Sequence, residues 1–167
     1  MSDIIKAEKK HIEDILKITK DAFLIYQKQL DNNISLQALT ETYNDVLFDI
    51  ENNNVYIALI DEKIAGCIRF CKLSGDLAYI YRFAVDQNSS HSGIGTSLIK
   101  YVLTLCLSQN IKAVCLHSNS KNTDLVKFYY KNGFFIHSTE FSRGYIRALF
   151  INELSDKEYD ITKVFSK

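Results

Sequence analysis

Phe83-Ala84-Val85-Asp86-Gln87-Asn88-Ser89-Ser90-His91-Ser92-Gly93-Ile94-Gly95-Thr96 runs from an apolar, β-rich stretch through a polar loop into two glycines that open an amphipathic run. A strand-to-helix junction of this kind leaves several backbone N–H groups without an intrahelical partner, at the positive end of a helix dipole. Glycines there let a phosphate approach the backbone closely, so the segment suits a pyrophosphate. Taken alone the pattern is weak, because Gly-x-Gly at a helix start also serves as a plain turn. It is neither a dinucleotide fingerprint nor a P-loop: there is no G-x-G-x-x-G, and no Gly-Lys-Ser/Thr follows.

Working outward, the apolar spacing predicts the flanking elements. Ile4 to Ala7 reads as a short strand. Residues 11–30 read as a helix, with Ile12, Ile15, Leu16, Thr19, Ala22, Phe23 and Tyr26 on one stripe, ended by Asp31-Asn32-Asn33. Ser35 is expected to cap a second helix carrying Leu36, Leu39, Tyr43, Val46, Leu47 and Ile50, closed by Asn52-Asn53-Asn54. The period then changes: Val55–Ile60, Ile64–Lys72 and Leu77–Val85 read as strands of an antiparallel meander. After the loop Asp86–Ser92, a helix runs to about Ser108, and Lys112–Ser118 reads as a buried strand. Asn122 caps a helix over Thr123–Asn132 that Gly133 stops in the left-handed conformation. Strands over Phe134–Glu140 and Tyr145–Leu154 and a polar tail complete the order β-α-α-β-β-β-α-β-α-β-β. That order is an α/β fold, a single-domain mixed sheet flanked by helices, with a parallel crossover over residues 77–118.

The chain has 167 residues, and its 20 Lys+Arg against 20 Asp+Glu exclude the basic footprint of a dedicated nucleic-acid binder. Apolar residues at 47% exclude wholesale disorder. No apolar run is long enough for a membrane span, and the first ten residues lack the core of a secretory signal, so the expected location is cytoplasmic. Cys67, Cys71, Cys106 and Cys115 sit in apolar stretches without metal-ligand or redox spacing, and read as small buried hydrophobes. No metal is expected.

A second segment, Asn122-Thr123-Asp124-Leu125-Val126-Lys127-Phe128-Tyr129-Tyr130-Lys131-Asn132-Gly133-Phe134, lies downstream of the first. Together the two resemble the GCN5-related N-acetyltransferase (GNAT) superfamily. That family carries a Q/R-x-x-G-x-G/A loop after its fourth strand, then an Asn followed seven residues later by a Tyr and ending in Gly-Phe. Residues 79–85 look like its fourth strand and residues 113–117 like its fifth. The element order matches from residue 4 to 154.

The resemblance implies one acetyltransferase domain over residues 1–167, with acetyl-CoA as cosubstrate. Backbone groups of Phe83, Ala84 and Val85 would hold the pantetheine arm and polarise the thioester. The N–H groups of Ser90, His91, Ser92, Gly93, Ile94, Gly95 and Thr96 would hold the pyrophosphate. Asn122 would lie beside the pantetheine, and Tyr129 near the sulfur, as acid to the leaving thiolate. His117, on the fifth strand, stands where one branch of the superfamily carries a glutamate base; a half-buried, hydrogen-bonded structural role is the alternative for it, and Tyr81, Glu140 and ordered water are the other candidates for the base. The pattern departs at Ser90, where the family has Arg or Gln, and at His91, where Gly is frequent. A catalytically decayed CoA-binding module therefore stands as the alternative to the enzyme.

The acceptor would be a small-molecule amine or a peptide N-terminus, with neither nucleic acid nor membrane as partner; a homodimer is possible. Tyr79, Tyr81, Tyr145 and Phe141 would line an acceptor pocket or the core. Arg82, Arg143 and Arg147 would hold a substrate carboxylate, a CoA phosphate or structural salt bridges.

Overall fold

The computed structural model describes residues 2–30 and 34–166. Seven strands form a mixed sheet in the order β1-β2-β3-β4-β5-β7-β6: β1 Asp3–Lys6, β2 Asn54–Ile60, β3 Lys63–Lys72, β4 Leu77–Val85, β5 Ala113–Asn119, β6 Phe135–Ser142 and β7 Tyr145–Glu153. Four helices accompany them: α1 Ile12–Lys28, α2 Tyr43–Asn52, α3 Ile94–Ser108 and α4 Thr123–Lys131. The chain divides into two compact units, Met1–Phe70 with Arg82–Tyr101 and Cys71–Tyr81 with Val102–Lys167. Among the described residues, no helix is long and apolar enough to cross a membrane.

In the first unit β2 pairs antiparallel with both β1 and β3. The α1 stripe places Ile12, Ile15 and Ile18 in a core with Val46 of α2, Val55 and Ile57 of β2, Cys67 of β3 and Ala84 of β4. Neighbouring residues of β3 serve opposite faces, as a pleated strand requires. Cys67 lies 3.6 Å from Thr19 Oγ1 of α1, whereas a Cβ on Gly66 would stand 2.9 Å from Ile94 and Leu98 of α3. Glycine here is what lets α3 lie close on the strand.

The second helix begins later than its apolar spacing suggests. Residues 37–39 form one 3-10 turn, and α2 starts after Thr42, not after Ser35. A capping box decides this: Asp45 N donates to Thr42 Oγ1 at 3.3 Å, and Thr42 N to Asp45 Oδ2 at 2.7 Å. Tyr43, placed on the buried stripe by its spacing, is exposed. The predicted stop Asp31-Asn32-Asn33 lies outside the described residues.

In the second unit β4 pairs parallel with β5 over Leu77–Tyr79 against Ala113–Cys115, and β7 lies antiparallel between β5 and β6. The β6–β7 hairpin turns through Arg143 and Gly144, both left-handed at φ 55° and 88°, as a two-residue hairpin loop demands. Helix α4 ends in a Schellman motif: Phe134 N donates to Tyr129 O and Gly133 N to Tyr130 O, with Gly133 at φ 86°. Phe134 is therefore spent on closing the helix, and β6 starts one residue later than expected.

One face of this unit's sheet buries Leu77, Tyr79, Cys115, Leu149 and Ile151. The tail is not merely polar: Tyr159, Ile161 and Val164 pack on that same face. Cys67, Cys106 and Cys115 are buried and no cysteine is bonded to another. Burial pushes the Cys67 thiol up and the Cys106 thiol to about 12, so both stay protonated and inert.

Candidate functional site

In the first unit the site candidates start where β4 stops being regular. Arg82 has φ 49°, a left-handed residue inside a strand, and it is held by Glu41, whose Oε1 lies 3.1 Å from Arg82 Nε. The same carboxylate takes both terminal nitrogens of Arg69 at 2.8 Å, and Asp49 adds a contact at 3.0 Å. Arg69 is 0% exposed. Burial alone would weaken its protonation, and the two carboxylates more than offset that, keeping it charged. Nothing in the spacing singled out Arg69; an arginine inside the apolar run Ile64–Cys71 was the available signal.

Beyond Arg82, Phe83 and Val85 are half-buried and Ala84 is buried. Asp86 N, bound to Ala65 O at 2.9 Å, pins the strand end to β3. The Asp86 carboxylate then caps a 3-10 turn over Gln87–Ser89. The loop that follows is left-handed twice, at His91 (φ 72°) and Gly93 (φ 82°). An L residue in that conformation costs about 1–2 kcal/mol, which is the physical reason a glycine suits position 91 and a histidine strains it.

The seven amides of Ser90–Thr96 do not form one set. Ser90 N is spent on Gln87 O and Ser92 N on Ser89 O, which also accepts from Ser92 Oγ. The first ladder bond of α3 runs from Ser97 N to Gly93 O, so the amides of Ile94, Gly95 and Thr96 stand ahead of it. A Cβ on Gly93 would meet nothing within 4 Å, so this backbone lies open to a bulky anion. The loop thus leaves fewer amides for an anion than the sequence pattern implies.

In the second unit Asn122 caps α4 by accepting from Leu125 N at 3.1 Å. Seven residues on, Tyr129 is the buried residue of that helix, 6% exposed. Its ring packs on Phe150 at 4.9 Å between centroids, on Phe128 at 5.3 Å and on Phe134 at 5.8 Å. Burial, with a smaller contribution from Tyr79, raises its hydroxyl well above the ordinary tyrosine value, so it stays protonated.

His117 lies on the other face of this unit's sheet, because it stands opposite Leu149 while Tyr129 packs on the neighbouring Phe150. The two are not brought into direct contact by their elements. The Tyr79 hydroxyl lies 2.8 Å from His117 Nδ1. On its far side His117 Nε2 lies 3.6 Å from Glu140 Oε1, and Arg147 Nη1 lies 3.7 Å from the same oxygen. Phe141 is 77% exposed, so it is not part of a core, and Arg143 occupies the hairpin turn. Among the described residues no group of three or more His, Cys, Asp or Glu could hold a metal.

The model of the "Acetyltransferase (GNAT) family" matches residues 13–134, which include both the loop and α4. The chain belongs to the GNAT family. Among curated proteins, streptothricin acetyltransferase of Escherichia coli is 24% identical to this GNAT chain over 120 residues, 70% of this chain and 69% of that one. Among solved structures, the PaiA N-acetyltransferase of Thermoplasma acidophilum in complex with coenzyme A superposes at a TM-score of 0.80. Its identity is 17%, over 92% of this chain and 99% of that chain. YncA of Salmonella typhimurium, solved with acetyl-CoA, superposes at 0.77 with 14% identity, covering 96% and 98%. Structural likeness at such identities is a likeness of fold.

Proposed function

We propose that this GNAT chain, acting as one domain over residues 1–167, is an N-acetyltransferase. It transfers the acetyl group of acetyl-CoA to a primary amine by direct attack within a ternary complex. The observation that carries the reading is the open left-handed turn at His91–Gly93, which presents helix-start amides immediately after β4. Acetyl-CoA, when bound, supplies the activated acyl group as a thioester.

The amides of His91, Gly93, Ile94, Gly95 and Thr96 hold the pyrophosphate, with Ser90 and Ser92 shaping the loop through their own bonds to Gln87 and Ser89. Backbone groups of Phe83, Ala84 and Val85, and Asn122, hold the pantetheine. An alkylammonium has an ordinary pKa near that of lysine, about 10.4, and its cation cannot attack, so a base is needed. His117 takes that proton, with Tyr79 fixing its ring at Nδ1. As the C–N bond forms and the C–S bond breaks, the Tyr129 O–H donates to the departing sulfur, and the proton lost from the nitrogen completes the free thiol. No covalent acyl-enzyme is required.

The acceptor is an amine in every version of this reading; streptothricin is what the E. coli relative's name gives for that protein. The experiment is free-thiol release from acetyl-CoA with a panel of primary amines, beside calorimetry of CoA binding. Amine-dependent thiol release is the expected result. Tight CoA binding with no release for any amine would replace the enzyme by a binding module.

A further inference from the structure

The chain itself shows how it satisfies a structural arginine, and Arg147 does not follow that pattern. Arg69 is fully buried and takes a two-pronged carboxylate at 2.8 Å plus a second carboxylate at 3.0 Å. Arg147 is nearly as buried, 7% exposed, yet no carboxylate lies within hydrogen-bond distance of it among the described residues. Its nearest acid is Glu140 at 3.7 Å, on the neighbouring strand β6, and that side chain is 41% exposed. The same Glu140 oxygen already accepts from Ser142 Oγ at 2.9 Å. The hydrogen bond that Arg147 does make goes to a neutral group, Ser142 Oγ at 3.3 Å. Its Nε is buried without a hydrogen-bond partner among the described residues, as is that of Arg69, so the contrast between the two lies in the carboxylates at their terminal nitrogens.

A buried guanidinium held only by a loose 3.7 Å ion pair to a half-exposed acid is costly, and its planar fork is matched by a close carboxylate better than by any hydroxyl. Arg147 and His117 reach the same oxygen of Glu140, so an anchor for a negative group and the proposed proton acceptor belong to one cluster.

We propose that Arg147 binds a carboxylate of the acceptor, which makes the acceptor an amine carrying a carboxylate on the same molecule, an amino-acid-type substrate. The inference rests on the acetyltransferase reading above. A phosphate of CoA is the other anion available. It is disfavoured because Arg147 shares its cluster with the residue assigned to the amine, while the pyrophosphate is assigned to the loop Ser90–Thr96.

The test compares matched amines: an amino acid, its carboxamide and its decarboxylated amine, each assayed by thiol release with wild type, Arg147→Gln and Arg147→Lys. Wild type should prefer the free acid by roughly ten- to a hundredfold in kcat/KM, the worth of a charge-assisted pair. Arg147→Gln should erase that preference by raising KM for the acid, leaving the KM for acetyl-CoA and the rates with the carboxamide within about twofold. Arg147→Lys should restore part of it. Should Arg147→Gln not fold, the wild-type comparison of acid with carboxamide still decides.

Equal or better turnover of the carboxamide and the decarboxylated amine overturns the proposal while leaving the acetyltransferase reading standing. A raised KM for acetyl-CoA in Arg147→Gln overturns it in favour of a CoA phosphate. No acetylation of any amine overturns both.

Discussion

Tyr129→Phe removes one hydroxyl and keeps the ring. The contacts to Phe150, Phe128 and Phe134 at 4.9, 5.3 and 5.8 Å are ring contacts, so packing and CoA affinity should change little. A positioned acid typically contributes about 10²–10⁴. The structure argues for the bottom of that range or just below it. Burial raises the hydroxyl far above the ordinary value of a thiol, about 8.5, so complete proton transfer to the thiolate is uphill. What remains is a hydrogen bond to a developing charge, worth about 1.5–3 kcal/mol, or roughly 10- to 150-fold in rate.

The assay is single-turnover thiol release, in which chemistry limits. The loss should appear in kcat and kcat/KM together, since the bond is made only in the transition state. The same substitution has a second readout. Folding holds Tyr129 protonated while the unfolded chain ionises near pH 10, so the associated stability is full below about pH 10 and falls as pH rises. Urea midpoints of Tyr129→Phe should therefore decline less steeply than wild type on the alkaline side; Tyr79, also raised by burial, keeps part of the slope. A variant that turns over at the wild-type rate under chemistry-limited conditions would refute the acid role.

Three other perturbations probe separate parts of the chain. Gly93→Val puts a β-branched residue at φ 82° and a side chain into the open space above the loop, so calorimetry should show CoA affinity at least tenfold weaker with the fold retained; unchanged affinity would remove the loop from the site. Glu41→Gln leaves Arg69 buried with only Asp49, and should cost about 3–5 kcal/mol in urea unfolding; a loss under about 1 kcal/mol would mean the network holds little. His117→Ala should slow turnover most at lower pH, where the acceptor is cationic and a base is most needed, and approach wild type as pH nears the amine's own value of about 10.4. Tyr79 and Glu140 face His117 directly and remain in that variant, so an unchanged pH–rate profile would leave His117 a structural residue.

Elements whose signal is local were legible from the chain alone. The apolar stripe of α1, the β-rich run of β4 and the Asn122 cap with Gly133 behind it are short-range patterns, and each element ends within a few residues of where the sequence puts it. The start of α2 was misread because an apolar stripe continues back through Leu36 and Leu39, whereas the cap is chosen by hydrogen bonds from Thr42 and Asp45. The tail was misread because three apolar residues spread over Tyr159, Ile161 and Val164 form no periodic pattern, yet suffice to dock on a sheet face. At the site, the loop and Tyr129 could be named from motif spacing. The link from His117 through Glu140 to Arg147 could not, since it depends on which residues of β5, β6 and β7 stand side by side, a matter of register. The same holds for Glu41, Arg69 and Arg82, which are far apart in sequence.

That last trio constrains how the chain can change over time. One carboxylate serves two guanidiniums, one of them wholly shut off from water, while the other sits in the left-handed break of β4. Losing Glu41 alone takes the carboxylate from Arg82 and leaves Arg69 with Asp49 only, and losing Arg69 alone leaves the shielded Glu41 with Arg82 only. Single steps away from the trio therefore pass through a destabilised intermediate, and descendants should either keep all three positions or have exchanged them together. Positions 41, 69 and 82 are thus expected to be inherited as one character, and a chain that swaps them jointly for apolar residues would be free to reshape the break in β4 as well.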